Sequence, residues 1–205
     1  MTKLGIAINK TRCIGCQTCA HACKMQNNVP SGMRWNRVLT EGCDVEDGAL
    51  GEFPNLSRGY LPVACQHCEN PACLRVCPTG ATYKDALGRV EVDYEKCIGC
   101  RMCMAACPYN ARVFNWNDPK REPDFNYGDK DVPVRGKGVV EKCTLCKERT
   151  DRGEEPMCVK CCPVKARTFG DLDDPNSEIS KLVLARKAGV LLEEQGTRPQ
   201  VHYFN

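Results

Sequence analysis

The stretch CIGCRMCMAACPYNA, residues 97–111, sets four thiols within eleven positions. Cysteine sulfur is a soft metal ligand and, as thiolate, a nucleophile. At this density three chemistries compete: a disulfide framework, structural zinc and iron–sulfur clusters. Nearly the same pattern occurs four times, which makes it an internal repeat. The first group is Cys13, Cys16, Cys19 and Cys23, and the second is Cys65, Cys68, Cys73 and Cys77. The third is Cys97, Cys100, Cys103 and Cys107, and the fourth is Cys143, Cys146, Cys158 and Cys162. Groups one and three follow C-x2-C-x2-C-x3-C, whereas groups two and four lengthen only the middle gap.

That spacing has a physical reason. Three cysteines separated by two residues let a tight loop wrap one face of an iron–sulfur cubane. Gly15 and Gly99 suit such a loop because glycine adopts positive φ without steric cost. The fourth cysteine follows a short helical turn, AHAC or MAAC, and points away. In two-cluster ferredoxins such a cysteine ligates the other cluster. Proline after Cys77, Cys107 and Cys162 ends the turn, and an alanine follows each proline by three residues. A short strand then returns, as in ARVFNW and ARTFGD. Group one departs from this, with Lys24 in place of the proline. Tetrahedral zinc uses paired CxxC units and gives no reason for a third cysteine at x2 and a fourth at x3. Two cysteines remain. Cys161 competes with its neighbour Cys162, which is preferred because it keeps the x3 gap and the following proline. Cys43, in LTEGCDVEDG, reads as a free thiol in a loop.

The rest of the 205-residue composition agrees. The chain is 42% hydrophobic only if its 18 cysteines are counted; without them about a third is apolar, a thin core for this length. Seventeen glycines and 13 prolines favour loops over long elements. The start, MTKLGIAINKTRC, has neither an apolar signal core nor twin arginines, and no apolar run is long enough to cross a bilayer. The expectation is a cytoplasmic location, or a membrane-associated or extracytoplasmic one only within a complex that a partner exports or anchors. The formal charge of +3 comes from bases scattered among 26 acids, so a nucleic-acid partner is excluded. Four clusters, each contributing about −2 with its thiolates, would make the loaded chain net acidic. The three histidines are too few and too scattered for a catalytic constellation. His21 and His67 sit inside cysteine loops, and His202 in the tail is expected to be exposed.

With four such groups in this order, the chain resembles the four-cluster iron–sulfur subunit of the molybdopterin oxidoreductase (dimethyl sulfoxide reductase) family. CKMQNNVPSGMRW, CQHCENPACLRVCPTGA and GTRPQVHYF are similar to that family as well, so the likeness covers nearly the whole chain. The resemblance implies an electron-transfer subunit with no catalytic residues and four 4Fe–4S clusters. Its implied ligand sets cross between groups. The first set is Cys13, Cys16, Cys19 and Cys162, and the second Cys23, Cys143, Cys146 and Cys158. The third is Cys65, Cys68, Cys73 and Cys107, and the fourth Cys77, Cys97, Cys100 and Cys103. It also implies a molybdenum or tungsten bis-pterin catalytic subunit as partner and, in the usual relatives, an integral membrane quinol-oxidising subunit. An iron–sulfur subunit of a hydrogenase or formate dehydrogenase complex, or a freestanding polyferredoxin, is the alternative.

The elements that must position the thiols follow from this pairing. The expected class is α+β, with two ferredoxin-like units of two clusters each, one inserted in the other. Residues 1–23 with 140–170 form the first unit and 60–114 the inserted second. Residues 24–59 and 115–139 are loop excursions, and 171–205 a C-terminal helix and docking tail. The helix is expected over 177–194, with Ile179, Leu182, Val183 and Leu191 on its apolar face. Arg12, Lys96 and Lys142 each precede the first cysteine of a group, where a cation would favour the reduced cluster. With His67, they are the expected neighbours of the ligands.

Overall fold

The strands of this chain are short, and most of them run into or out of a cysteine loop. The computed structural model describes residues 2–42, 47–118 and 128–205. In chain order the elements are β1 (Leu4–Asn9), α1 (Thr18–Gln26), β2 (Arg37–Thr40), β3 (Leu50–Glu52), β4 (Asn55–Ser57) and β5 (Tyr60–Val63). Then come α2 (Ala72–Arg75), β6 (Thr82–Lys84), β7 (Val90–Val92), α3 (Met102–Ala105), β8 (Arg112–Phe114) and β9 (Val140–Lys142). The last third holds α4 (Lys147–Asp151), α5 (Met157–Lys160), β10 (Arg167–Asp171), α6 (Glu178–Ala185) and β11 (Val201–Phe204). The class is α+β.

Antiparallel pairs link each cysteine group to the next. β2 with β5 joins group one to group two, β6 with β7 joins two to three, and β8 with β9 joins three to four. β10 returns beside β1, Leu4 opposite Asp171 and Ile8 opposite Arg167, so the fourth group closes on the first. Among the helical turns, α1 packs on α5 and α2 on α3. The turns of groups one and four therefore meet, as do those of groups two and three. The excursion over 24–59 carries strands of its own, β2 and the β3–β4 hairpin. Cys43 lies outside the described residues.

Burial on both faces of β1 makes the main core. Strand periodicity sends Ile6 and Ile8 to one side, against Leu145, Val159, Val201 and Tyr203. Ala7 faces the other side, where Ile179 of α6 and Phe204 cover it. The tail is not a free arm: β11 pairs in parallel with β1 and completes a three-stranded sheet of order β10-β1-β11. His202 is accordingly half-buried rather than exposed.

The C-terminal helix is shorter than its apolar pattern suggests. Ser177 caps α6, its hydroxyl accepting the Ser180 N–H at 3.1 Å. At the other end Ala188 N–H bonds the Val183 carbonyl and Lys187 N–H that of Leu184, with Lys187 at φ 48°. This is a Schellman termination with lysine in the left-handed position usually held by glycine. Gly189 then exchanges both backbone hydrogen bonds with Tyr203. Leu191 is thus off the helix and packs beside Cys68, Tyr109 and Ala111.

Ile179 is fully buried between α6 and the sheet. Ile179→Ala is expected to cost about 2–5 kcal/mol through the cavity it leaves. A lower denaturant midpoint at unchanged iron content would register this, and an unshifted midpoint would contradict it.

Candidate metal centres

Each group turns its loop at the same place. The residue just before the second cysteine has positive φ in all four: Gly15 at 69°, His67 at 43°, Gly99 at 68° and Leu145 at 53°. The two glycines meet a second demand. A Cβ on Gly15 would enter the Tyr60 ring, and one on Gly99 would meet the Gly138 carbonyl. His67 and Leu145 hold the strained conformation because burial fixes them. Leu145 is in the main core, and His67 Nδ1 accepts the Val90 N–H at 3.1 Å. In group four the long gap between the second and third cysteines is filled by α4.

These loops gather thiols from different groups. One cavity is lined by Cys77 of group two with Cys97, Cys100 and Cys103 of group three. A second is lined by Cys65, Cys68 and Cys73 with Cys107. A third is lined by Cys23 with Cys143, Cys146 and Cys158, and Cys65 forms part of its wall. In the fourth assembly Cys19 and Cys162 lie near enough to Cys13 to raise its thiol pKa, although burial contributes most. Cys16 is exposed on the same loop. Cys161 belongs to none of the three cavities; its thiol points to the Thr18 carbonyl at 3.8 Å.

The donor sets fit a metal cluster. Every described cysteine is a free thiol, and soft sulfur favours iron–sulfur chemistry. Backbone N–H groups point at the sulfurs: Thr82 at Cys77 (3.4 Å), Leu145 at Cys143 (3.4 Å) and Ala166 at Cys162 (3.3 Å). Burial pushes the Cys68 and Cys146 thiols up to about 12, and those of Cys23 and Cys143 well above 9. Thiolates in such places need a cation beside them.

The fixed cations are not all where adjacency in sequence puts them. Lys142 is buried, 1% exposed, and its ammonium donates to the carbonyls of Val90 and Cys143. Burial pushes the Cys65 thiol up, and the Lys142 charge opposes this. His67 is also fully buried, and the same burial keeps its imidazole neutral. Arg12 and Lys96, by contrast, are exposed. Arg12 reaches only the Lys165 carbonyl at 3.5 Å, and Lys96 pairs with Asp93 at 2.9 Å. Their loops turn these side chains to water, and among the described residues neither is bonded to sulfur. Two buried cations lie outside the expected set: Arg112 donates to Cys73 Sγ at 3.0 Å and Arg167 to Cys19 Sγ at 3.3 Å. A signal was there, since each arginine stands five residues after the last cysteine of its group, in CPYNAR and CPVKAR.

Comparison with known proteins agrees with this chemistry. The 4Fe-4S dicluster domain family matches residues 56–122 and 131–172, a second dicluster family matches 96–150, and a 4Fe-4S binding domain matches 10–26. The chain is 52% identical over its whole length to the provisionally named dimethyl sulfoxide reductase iron–sulfur subunit of Halobacterium salinarum, covering 80% of that protein. It is 39% identical to a selenate reductase subunit of Mesobacillus selenatarsenatis, over 97% of this chain and 70% of that one. It is 36% identical to the arsenate respiratory reductase iron–sulfur subunit of a Shewanella species, over 98% and 96%.

Protons compete with iron for sulfurs whose thiol pKa is this high. Lowering the pH from about 8 to about 6 is therefore expected to speed chelator-driven bleaching of the visible absorbance severalfold. A rate independent of pH would contradict the thiol assignment.

Proposed function

The chain belongs to the family of 4Fe–4S dicluster iron–sulfur subunits of dimethyl sulfoxide, selenate and arsenate reductase type, and on that premise we propose how it carries electrons. It is an electron-transfer subunit of an oxidoreductase complex, not the catalytic one. A 4Fe–4S cluster held by four thiolates exchanges single electrons and offers no open site to a substrate.

Four clusters are held crosswise. The ligand sets are Cys13, Cys16, Cys19 and Cys162; Cys23, Cys143, Cys146 and Cys158; Cys65, Cys68, Cys73 and Cys107; and Cys77, Cys97, Cys100 and Cys103. The observation that carries this reading is the lining of the three thiol cavities: each takes three sulfurs from one group and one from the group it is paired with, and the cavity of Cys143, Cys146 and Cys158 with Cys23 has Cys65 of group two in its wall as well. Packing of α1 on α5 and of α2 on α3 supports a nested arrangement, groups two and three forming a unit inserted between groups one and four.

Shared walls support a linear order. Arg167 bonds Cys19 of the first set and lines the cavity of the second. Cys65 lines the cavities of both the second and third, with Lys142 beside it. Arg112 lines those of the third and fourth. The two ends are the open loops of groups one and three, where Cys16 and Cys100 are exposed and Ile14 and Ile98 are 57% and 67% exposed. These loops are where the donor and the acceptor dock. One partner is a molybdopterin catalytic subunit, and the other is a quinol-oxidising membrane subunit or a soluble redox protein. Among the described residues no helix is long and apolar enough to cross a membrane.

Anaerobically prepared chain should hold about sixteen irons, four per cluster, and show four reducible signals by electron paramagnetic resonance. Cys16→Ser and Cys100→Ser should each alter one end signal, leave the other three, and slow electron passage to the partner severalfold. Far fewer irons, or substrate turnover by the isolated chain, would overturn the reading. The apolar clusters are small and the thiols form part of their walls, so cluster binding supplies folding free energy. Complete iron removal is expected to abolish cooperative unfolding, as followed by circular dichroism; a native-like transition in the iron-free chain would contradict this.

A further inference from the structure

Buried arginines in this protein fall into two kinds. Arg135 faces Glu141 at 3.0 Å, and Arg89 faces Asp85 and Asp151, each at 2.7 Å. These are ordinary buried ion pairs, each cation compensated by a carboxylate. Arg112 and Arg167 are as deeply buried, at 3% and 7% exposure, but among the described residues neither has a carboxylate within 4.0 Å. A buried charge without a counterion is costly. Their nearest candidates for negative charge are cysteine sulfurs.

Both arginines bond one sulfur and line a cavity with others, in equivalent ways. Arg112 donates through Nη2 to Cys73 Sγ at 3.0 Å and through Nη1 to Thr82 Oγ1 at 3.3 Å. It also lines the cavity that Cys103 lines. Arg167 donates through Nη2 to Cys19 Sγ at 3.3 Å and to Asn36 Oδ1 at 3.4 Å. It also lines the cavity that Cys158 lines. Cys73 and Cys103 are the third cysteines of groups two and three, and Cys19 and Cys158 are those of groups one and four. Each guanidinium therefore spans the third cysteines of the two groups that share a unit. The equivalent position, five residues after the last cysteine, is Asn28 in group one and Thr82 in group two. Each unit thus has one arginine at this position.

We propose that Arg112 and Arg167 are the fixed counter-charges of the relay, one set between the two clusters of each unit, and that each raises the reduction potential of both its neighbours. The inference rests on the crosswise cluster assignment above. Reduction adds negative charge to either neighbour, and a permanent cation in a low-dielectric wall between them favours that state. Arginine suits the place because it stays protonated even when buried, and its planar fork serves two acceptors at once.

The test is a redox titration followed by electron paramagnetic resonance on the complete, anaerobically prepared chain, with iron content measured in parallel. Arg112→Gln should lower the midpoints of the two clusters bound by groups two and three by a tenfold change in the one-electron equilibrium, about 59 mV, and leave the other two in place. Arg167→Gln should do the reverse. Arg112→Lys and Arg167→Lys, which keep the charge, should restore most of the shift. Full iron with four unmoved midpoints, an equal shift in all four, or lysine behaving as glutamine would overturn the proposal. If a glutamine variant loses iron, the lysine variant decides. Retained iron and near-native midpoints there support the need for charge, and loss in both refutes it. Fewer than four signals in the unaltered chain would instead count against the cluster assignment itself.

Discussion

Charge on buried sulfur governs the rest of this structure. Sixteen cysteines stand in four repeated groups, and several of their sulfurs lie where water cannot stabilise a thiolate. Burial, with neighbouring cysteines adding to it, lifts the Cys68 and Cys146 thiols to about 12. The chain answers with donors aimed at sulfur: backbone N–H groups, the Arg112 and Arg167 guanidinia and the Lys142 ammonium nearby. Iron in the proposed clusters supplies most of the compensation, so metal binding and folding are linked. The same low dielectric that makes a lone thiolate expensive makes each fixed cation effective.

The polypeptide serves this constraint with very little regular structure. Three-residue strands and single helical turns would not be stable alone. They persist because most of them run into or out of a cysteine loop, and because β1, buried on both faces, ties the first and last groups together. α6 and β11 cover that central strand, Ile179 and Phe204 closing over Ala7. The C-terminal segment is in this way part of the scaffold that holds the loops of groups one and four in place. The exposed ends of the thiol series lie instead at the loop tips beside Ile14 and Ile98.

Several features were legible from residue types and spacing. Four complete cysteine groups indicate iron–sulfur chemistry before any coordinate is known, and Gly15 and Gly99 mark the loop turns. Others were hidden by a competing effect. His67 and Leu145 make the same positive-φ turn without glycine, since burial overrides local preference. The apolar pattern over 177–194 hides a helix end at Ala185, because lysine occupies the left-handed position usually marked by glycine. Lys96 and Lys142 hold the same place relative to their groups, yet one is solvated and the other sealed under Val90. The arginines of CPYNAR and CPVKAR read in sequence as the first residues of returning strands, and only the fold turns them onto sulfur.

Sequence alone determined the number and spacing of the cysteines and the local turns that present them, because a loop of a few residues has its geometry set by its own spacing and backbone preferences. Tertiary structure decided which sulfurs share a cavity and which cations sit against them. Both depend on burial and on distances between residues far apart in the chain. Those distances come from strand pairings such as β10 on β1, which bring Arg167 to Cys19 across 148 positions. Electrostatic effect follows separation and dielectric, and neither can be read from adjacency along the chain.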